Sequence, residues 1–354
     1  MTENTDHRQS WFGLIATFIC IVLIFALLTP AVWDSDWRSQ RNKCQSRMKD
    51  IARAAISFEG TRGCYPPYQS EFGGKSGGPV KLGSWVVSLM PYLEHQALRD
   101  TWDDPSEQGN WVKAVVQQDA TQFQRFYPKL ATLTCPQDKT LKGKYAPLSY
   151  VANTGFYLLP SDPAIGLEAY KNAADDSARS IVSQRVQNGL FANGLPMLVV
   201  DPKSSNPTAT FGPALKKHTA DDVRDGTSQT IALFENSNNL TWHEYSITDD
   251  SARYRLGCVW LYVGDSTGGR PQGMEIESVM RINFEKDVVS SSPKRARPNA
   301  HHQGIVIAAM ADGSTKAIAE EIDYHVYQAL MTPHTRQSDA PNVLYLLKED
   351  DFSL

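Results

Sequence analysis

From Gln9 to Trp33 the chain runs through 25 positions without a charged side chain. Within that window the run from Trp11 to Leu28 is almost wholly apolar. About 20 apolar residues, rising 1.5 Å each, match a hydrocarbon core about 30 Å thick. The run is apolar on every face, unlike the one-sided stripe of a helix on a soluble domain. It exceeds the roughly 7–15 residues of a cleaved secretion signal's apolar region, and it leaves through Thr29-Pro30-Ala31-Val32 rather than a small-x-small cleavage site. We expect a short tail over residues 1–10 and a single lipid-facing transmembrane anchor over 11–33, with Trp11 and Trp33 at headgroup level. The rest of the chain narrows the class. The 35 Lys+Arg against 39 Asp+Glu give a net charge of -4, so no basic excess points to nucleic acid. At 41% hydrophobic, the chain is neither a multi-span membrane protein nor a disordered one.

Charge and cysteines disagree on orientation. Arg8 alone precedes the span, whereas Arg38, Arg41, Lys43 and Arg47 follow it closely. Read literally, the positive-inside rule places the large domain in the cytoplasm, although long domains translocate largely regardless of charge. The cysteines favour the outside. Cys20 lies in the apolar run, leaving Cys44, Cys64, Cys135 and Cys258. Four cysteines allow three connectivities. We expect Cys44–Cys135, tying stem to head, and Cys64–Cys258. We place the chain in the cell membrane with its head in the periplasm or at the cell surface.

Beyond Pro30, where a kink is expected, an amphipathic helix is predicted over 34–60. Trp37, Cys44, Met48, Ile51, Ala55 and Phe58 recur at spacings of 7, 4, 3, 4 and 3, one face of a helix. Arg38, Arg41, Lys43, Lys49, Asp50 and Arg53 lie between them. The helix is expected to stop near Gly60, before Gly63 and the Pro66-Pro67 pair. Residues 11 to 59 would form a helix about 75 Å long at 1.5 Å per residue.

The head, residues 61–354, shows an α+β pattern and no internal boundary. Residues 69–84 read as a glycine-rich flexible loop, Trp85–Leu98 as a helix interrupted at Pro91, and 111–132 as helical. Strands are expected around Ser149–Ala152, Gly189–Phe191, Thr230–Glu235, Cys258–Val263 and Met274–Phe284. Residues 160–188 read as a polar insert. The clearest hairpin joins Ile305–Met310 to Thr315–Ile318 through Asp312-Gly313, since Asp-Gly suits the left-handed geometry of a tight turn. A short helix follows over Ile322–Met331. The expected architecture is pilin-like: a long N-terminal helix, membrane-spanning in its first half, packed on an antiparallel sheet.

Several segments in order resemble one family. Leu27-Leu28-Thr29-Pro30-Ala31-Val32, Cys44-Gln-Ser-Arg-Met48-Lys49, Gly63-Cys-Tyr-Pro66-Pro67, and Trp85 with Leu89-Met-Pro91-Tyr92-Leu93-Glu94 are similar to motifs of the planctomycete family called domain of unknown function 1559. So are Leu133-Thr-Cys135-Pro136-Gln-Asp138, Ser149-Tyr150-Val151-Ala152-Asn153, Asp225-Gly226-Thr227-Ser228-Gln-Thr230-Ile231 with Glu235, and His302 followed after nine residues by Asp312-Gly313. The resemblance implies a prepilin-like N-terminus, no assigned activity, and envelope proteins or pilin-like subunits as partners. One departure stands out. Where such prepilins carry Gly-Phe-Thr-Leu-x-Glu, this chain has Arg8, Gln9, Ser10, Trp11, Phe12 and Gly13. Without that glycine and glutamate, a permanently anchored relative is expected rather than a processed pilin.

Chemistry-bearing motifs are sparse. There is no Walker loop and no Gly-x-Ser-x-Gly. His301-His302 is the weak metal candidate, since neighbours on a strand point to opposite faces. With no Cys-x-x-Cys and no metal-ligand spacing, no zinc is expected, nor any other cofactor. His302 is expected to reach the Asp312 turn, and Asp225 to serve a turn rather than a calcium loop. The leading expectation is a pseudopilin-like envelope protein with a structural or interaction role and no catalysis. The alternative is an anchored hydrolase or glycan-binding domain using Trp85, Trp102, Trp111 and Trp260, or a convergence of His301 or His302 with Asp225 and Asp312.

Overall fold

The computed structural model describes residues 6–74, 80–141, 145–157, 188–195, 198–200, 209–211, 217–245, 251–261, 282–283, 296–338, 340, 344–348 and 351. The chain divides into two compact units, Met1–Lys43 and Cys44–Leu354. The polar insert expected at 160–188 and the strand expected at Met274–Phe284 fall almost wholly outside the described residues.

The first helix, α1, spans Asp6–Arg62 and runs on through Pro30 without interruption. Within the first unit the described side chains of the apolar run are uncovered: Trp11, Leu14 and Phe18 are each about two-thirds exposed, and Ile15, Ile19, Leu23 and Ile24 about half. Among the described residues, no helix is long and apolar enough to cross a membrane; in the apolar run the described side chains are those of residues 11, 14–24 and 26.

In the second unit the same helix changes character. Cys44, Met48, Ile51 and Ala55 are buried, on the stripe that the spacing predicts, and Ala52 beside them is buried too. Burial of the Met48 and Ile51 side chains stabilises by about 1.5–3 kcal/mol each. The helix ends at Arg62, two residues beyond Gly60. Gly63 adopts φ +68° and its N–H donates to Glu59 O at 2.7 Å, a glycine C-terminal cap that a side chain would strain. The buried Pro66-Pro67 segment then forbids any return to helix.

The described residues of 69–84 are not all loop. They form a hairpin of β1 (Gln69–Phe72) and β2 (Lys81–Ser84), whose Phe72 packs edge-to-face on Trp102. The glycines of this stretch made it look unstructured; Gly83 in fact sits where a Cβ would meet Phe72, Trp102 and Val87 at 3.0 Å. Helices α2 (Trp85–Leu89), α3 (Gln96–Asp103), α4 (Gln108–Val115) and α5 (Ala120–Phe126) follow. The break between α2 and α3 includes a 3-10 turn through Pro91 that ends on left-handed Glu94. Asp119 caps α5 by accepting the N–H groups of Thr121 and Gln122.

The core is a five-stranded sheet. In chain order its strands are β3 (Pro147–Tyr157), β6 (Ile231–Thr241), β7 (Gly257–Leu261), β8 (Ile305–Met310) and β9 (Thr315–Ala319). Their spatial order is β7-β3-β6-β8-β9. All neighbours are antiparallel except β3 and β7, which are parallel. A separate two-stranded ladder joins β4 (Leu198–Val200) to β5 (Ala209–Phe211). Gly189–Phe191 is not a strand. It crosses beneath β3, where Gly189 would place a Cβ 2.3 Å from Gly155 Cα, so two glycines allow the backbones to touch. The short helix α6 (Ser251–Arg255) leads into β7, and α7 (Tyr324–Met331) follows β9.

Alternation along β6 separates the two faces of the sheet. Phe234 stacks near Tyr327 of α7, at a ring separation of 5.9 Å. Glu235, next in sequence, pairs with Tyr150 of β3, whose hydroxyl donates to Cys44 O at 3.3 Å. The sheet is thus sandwiched between the 44–62 part of α1 and α7. The four tryptophans proposed for glycan binding belong to the core: Trp85, Trp102 and Trp260 are fully buried, and Trp111 nearly so. Their indole N–H groups donate to Leu256 O, Phe126 O, Asn188 O and the Tyr127 hydroxyl.

Candidate functional site

Two groups of the motif residues gather at the two ends of β8. At its start lies the only charged cluster of the motif set that is wholly buried. Glu235 on β6 uses both carboxylate oxygens. Oε2 accepts the N–H of Ile307 at 2.8 Å, and Oε1 lies 3.0 Å from Nε2 of His302. An ionised carboxylate only accepts, so the hydrogen between them sits on Nε2. Both side chains are about 1% exposed. The sulfur of Cys135 lies 4.0 Å from the same Nε2. Cys135 is bonded to Cys44, with a Cα separation of 5.2 Å across 91 residues of sequence. Tyr150 closes the cluster. Burial pushes its phenol well above the ordinary value, the Glu235 carboxylate adds to the effect, and Arg47 opposes it.

His301 turns to a different partner. Its Nε2 stands 3.7 Å from Oδ1 of Asp138, which also accepts from the Thr140 hydroxyl, while Oδ2 accepts from Ser149 at 2.8 Å. The adjacent histidines therefore do not share one centre. Beside the cluster a small pocket is lined by Cys135, Asp138, Ser149, Glu235 and His301 among others. Pro136 is exposed on the turn that carries Cys135 to Asp138.

The far end of β8 is built from turns. Asp312 accepts the N–H and hydroxyl of Ser314, its own turn, and Gly313 takes φ +82°. A Cβ at Gly313 would lie 2.8 Å from Ile56 Cδ1 of α1, so glycine serves both the turn and the close helix. The Asp225-Gly226-Thr227-Ser228 loop docks here: Thr227 O accepts from Asp312 N–H, and Thr230 O from Ala311 N–H. Asp225 caps the segment after α7, accepting the N–H and hydroxyl of Thr335 at 2.6 and 2.7 Å, while Gly226 takes φ +103°. The expected bond from His302 to the Asp312 turn does not form. The six residues of β8 separate them, about 20 Å of strand at 3.4 Å per residue. His301, His302, Asp225 and Asp312 thus each meet a different partner.

The second expected disulfide does not form either. Cys64 and Cys258 are free and buried. Cys64 follows the end of α1 near Glu59, Arg62 and Lys217, whereas Cys258 sits within β7 among Arg297, Asn236 and Tyr327. Burial raises both thiols, that of Cys258 strongly.

Two features lay beyond sequence reasoning. Lys81, expected in a loop, is fully buried and donates to Trp102 O and Asp104 O. Arg297 is buried over the rings of Tyr324 and Tyr327, and one of its guanidinium N–H groups donates to Val259 O.

No curated protein and no solved structure matches the chain. A family model does, over residues 38–325, which takes in Cys44, Cys135, Glu235, His302 and the Asp312-Gly313 turn. With well over half of its length matched, and the matched motifs forming both ends of β8, the chain belongs to the family described as protein of unknown function (DUF1559).

Proposed function

We propose that the chain is a membrane-anchored, pseudopilin-like envelope protein with a structural or interaction role, its head outside the cytoplasm. The observation that carries this reading is the division of α1. Its first part presents uncharged apolar side chains, about half to two-thirds exposed, that need a nonaqueous surrounding. Its second part lies in a sheet core. A bilayer, or the apolar stems of similar subunits, would cover the first part. The Cys44–Cys135 disulfide supports an oxidising compartment for the head. The residues that a hydrolase or glycan-binding reading would use are turn members, ion-paired or core.

Fractionation of cells with protease protection tests the proposal. The full chain is expected in the membrane fraction after a high-salt wash, and external protease is expected to degrade the head once any outer barrier is permeabilised. Recovery of the chain in the soluble fraction would overturn the anchor. A head that stays protected until the inner membrane is lysed would overturn the orientation.

A further inference from the structure

Cys44, Cys135, Glu235 and His302 each present one donor atom, and all four lie within 4.8 Å of one another. They come from α1, the turn after Leu133, β6 and the loop before β8, so no sequence spacing reveals them. Two thiol sulfurs, an imidazole nitrogen and a carboxylate oxygen are the donor types that bind zinc tetrahedrally, at about 2.3, 2.0–2.1 and 2.0–2.2 Å. Those bond lengths require the donors to stand roughly 3.3–3.8 Å apart. The Nε2–Oε1 separation of 3.0 Å and the Nε2–Sγ separation of 4.0 Å straddle that range. The two sulfurs are too close, because they are bonded.

We propose that these four residues form a thiol-gated site for one borderline-soft divalent cation, Zn²⁺ fitting best, filled when the Cys44–Cys135 bond is reduced and emptied when it re-forms. The inference does not depend on the membrane reading. A dithiol reductant supplies two electrons and two protons; the S–S bond breaks, two thiols form, and the reductant closes to its own disulfide. The cation then displaces one proton from each thiol to solvent. The hydrogen on His302 Nε2 moves to Nδ1, freeing the Nε2 lone pair. Glu235 binds through Oε1. Its other oxygen stays on the Ile307 N–H, which fixes the carboxylate as an outer partner of a metal site does. Re-oxidation by a disulfide oxidant takes two electrons from the thiolates, re-forms the S–S bond and releases the cation. Two of the four donor residues, Cys135 and Glu235, line the small pocket that Asp138 and His301 border.

The test uses the full chain in detergent, with Co²⁺ and Zn²⁺ as probes and a phosphine reductant, which becomes a phosphine oxide by taking oxygen from water. The reduced protein is expected to bind one equivalent of Co²⁺ with thiolate-to-cobalt charge transfer and tetrahedral visible bands. It should lose both on adding Zn²⁺ or on re-oxidation. Glu235→Gln and His302→Gln, which leave the disulfide possible, should weaken binding at least about tenfold. Zn²⁺ should also shield Cys44 and Cys135 from alkylation in the reduced protein. The proposal is overturned if the reduced, folded protein takes up no Co²⁺, if the oxidised protein binds equally well, or if both variants bind as tightly as the parent. It is overturned as well if reduction abolishes the folded circular-dichroism spectrum and Zn²⁺ does not restore it.

Discussion

The two parts of α1 share one helical backbone and little else. Before Lys43 the helix includes a window with no charge and leaves Ile19 about half exposed; after it, charged residues alternate with a stripe in which Ile51 is wholly buried. A helix takes its stability from what its side chains touch rather than from propensity. The described apolar side chains of the first part are left exposed, whereas those of the second pack into the buried core of the head.

Removing the staple at the boundary should have the largest effect. Replacing Cys44 and Cys135 together by serine frees a loop of 91 residues, and the chain-entropy argument gives a loss of about 4–5 kcal/mol. Chemical denaturation of the non-reduced protein measures it; a loss below about 1 kcal/mol would show that the helix-on-sheet packing suffices alone. Next comes Ile51→Ala, with an expected loss of about 2–5 kcal/mol from a cavity at a fully buried site.

The third effect depends on pH. Burial, with the nearby charges of Glu59 and Asp312, raises the Tyr65 phenol from 10.0 to about 12. Between those values the unfolded chain gives up this proton and the folded one keeps it, so stability falls as pH rises. By pH 12 the fall owed to this group is about 2–3 kcal/mol. Tyr65→Phe should flatten that part of the alkaline unfolding curve, at the cost of the weak bond to Ala311 O at neutral pH. An unchanged slope would assign the alkaline loss to the other buried phenols. The smallest effect belongs to Ile19→Ala. Unfolding of the head, followed in detergent, should shift by less than about 0.5 kcal/mol. A larger shift would mean that the first part of α1 has a partner within the head.

The same contrast explains what could be read from the sequence. Periodic features were legible: the buried stripe Cys44, Met48, Ile51 and Ala55 and the β8–β9 hairpin around Asp312-Gly313; of the two disulfides expected, Cys44–Cys135 forms. Features set by neighbours distant in sequence were not. At Gly83 of the β1–β2 hairpin a side chain would meet Phe72, Trp102 and Val87, so this glycine reflects close packing. Gly189 faces Gly155, so a packing contact looked like a strand. Cys64 and Cys258 satisfied the arithmetic of pairing but lie in different surroundings. At the candidate site Glu235 and His302 were visible as members of motifs. Their meeting with the two cysteines depends on the order β6-β8 and on the seat of α1, which no spacing encodes.

Cys44 is also the first residue of the second unit. A pull arriving along α1 from its N-terminal side therefore enters the head at a covalent crosslink. With the bond closed, tension at Cys44 has a covalent route into the Cys135 turn beside the contacts of Met48, Ile51 and Ala55. With the bond open, the same tension must run through residues 45–62 and can strip those contacts one turn at a time. The oxidation state of a single pair of sulfurs thereby decides whether that covalent route exists.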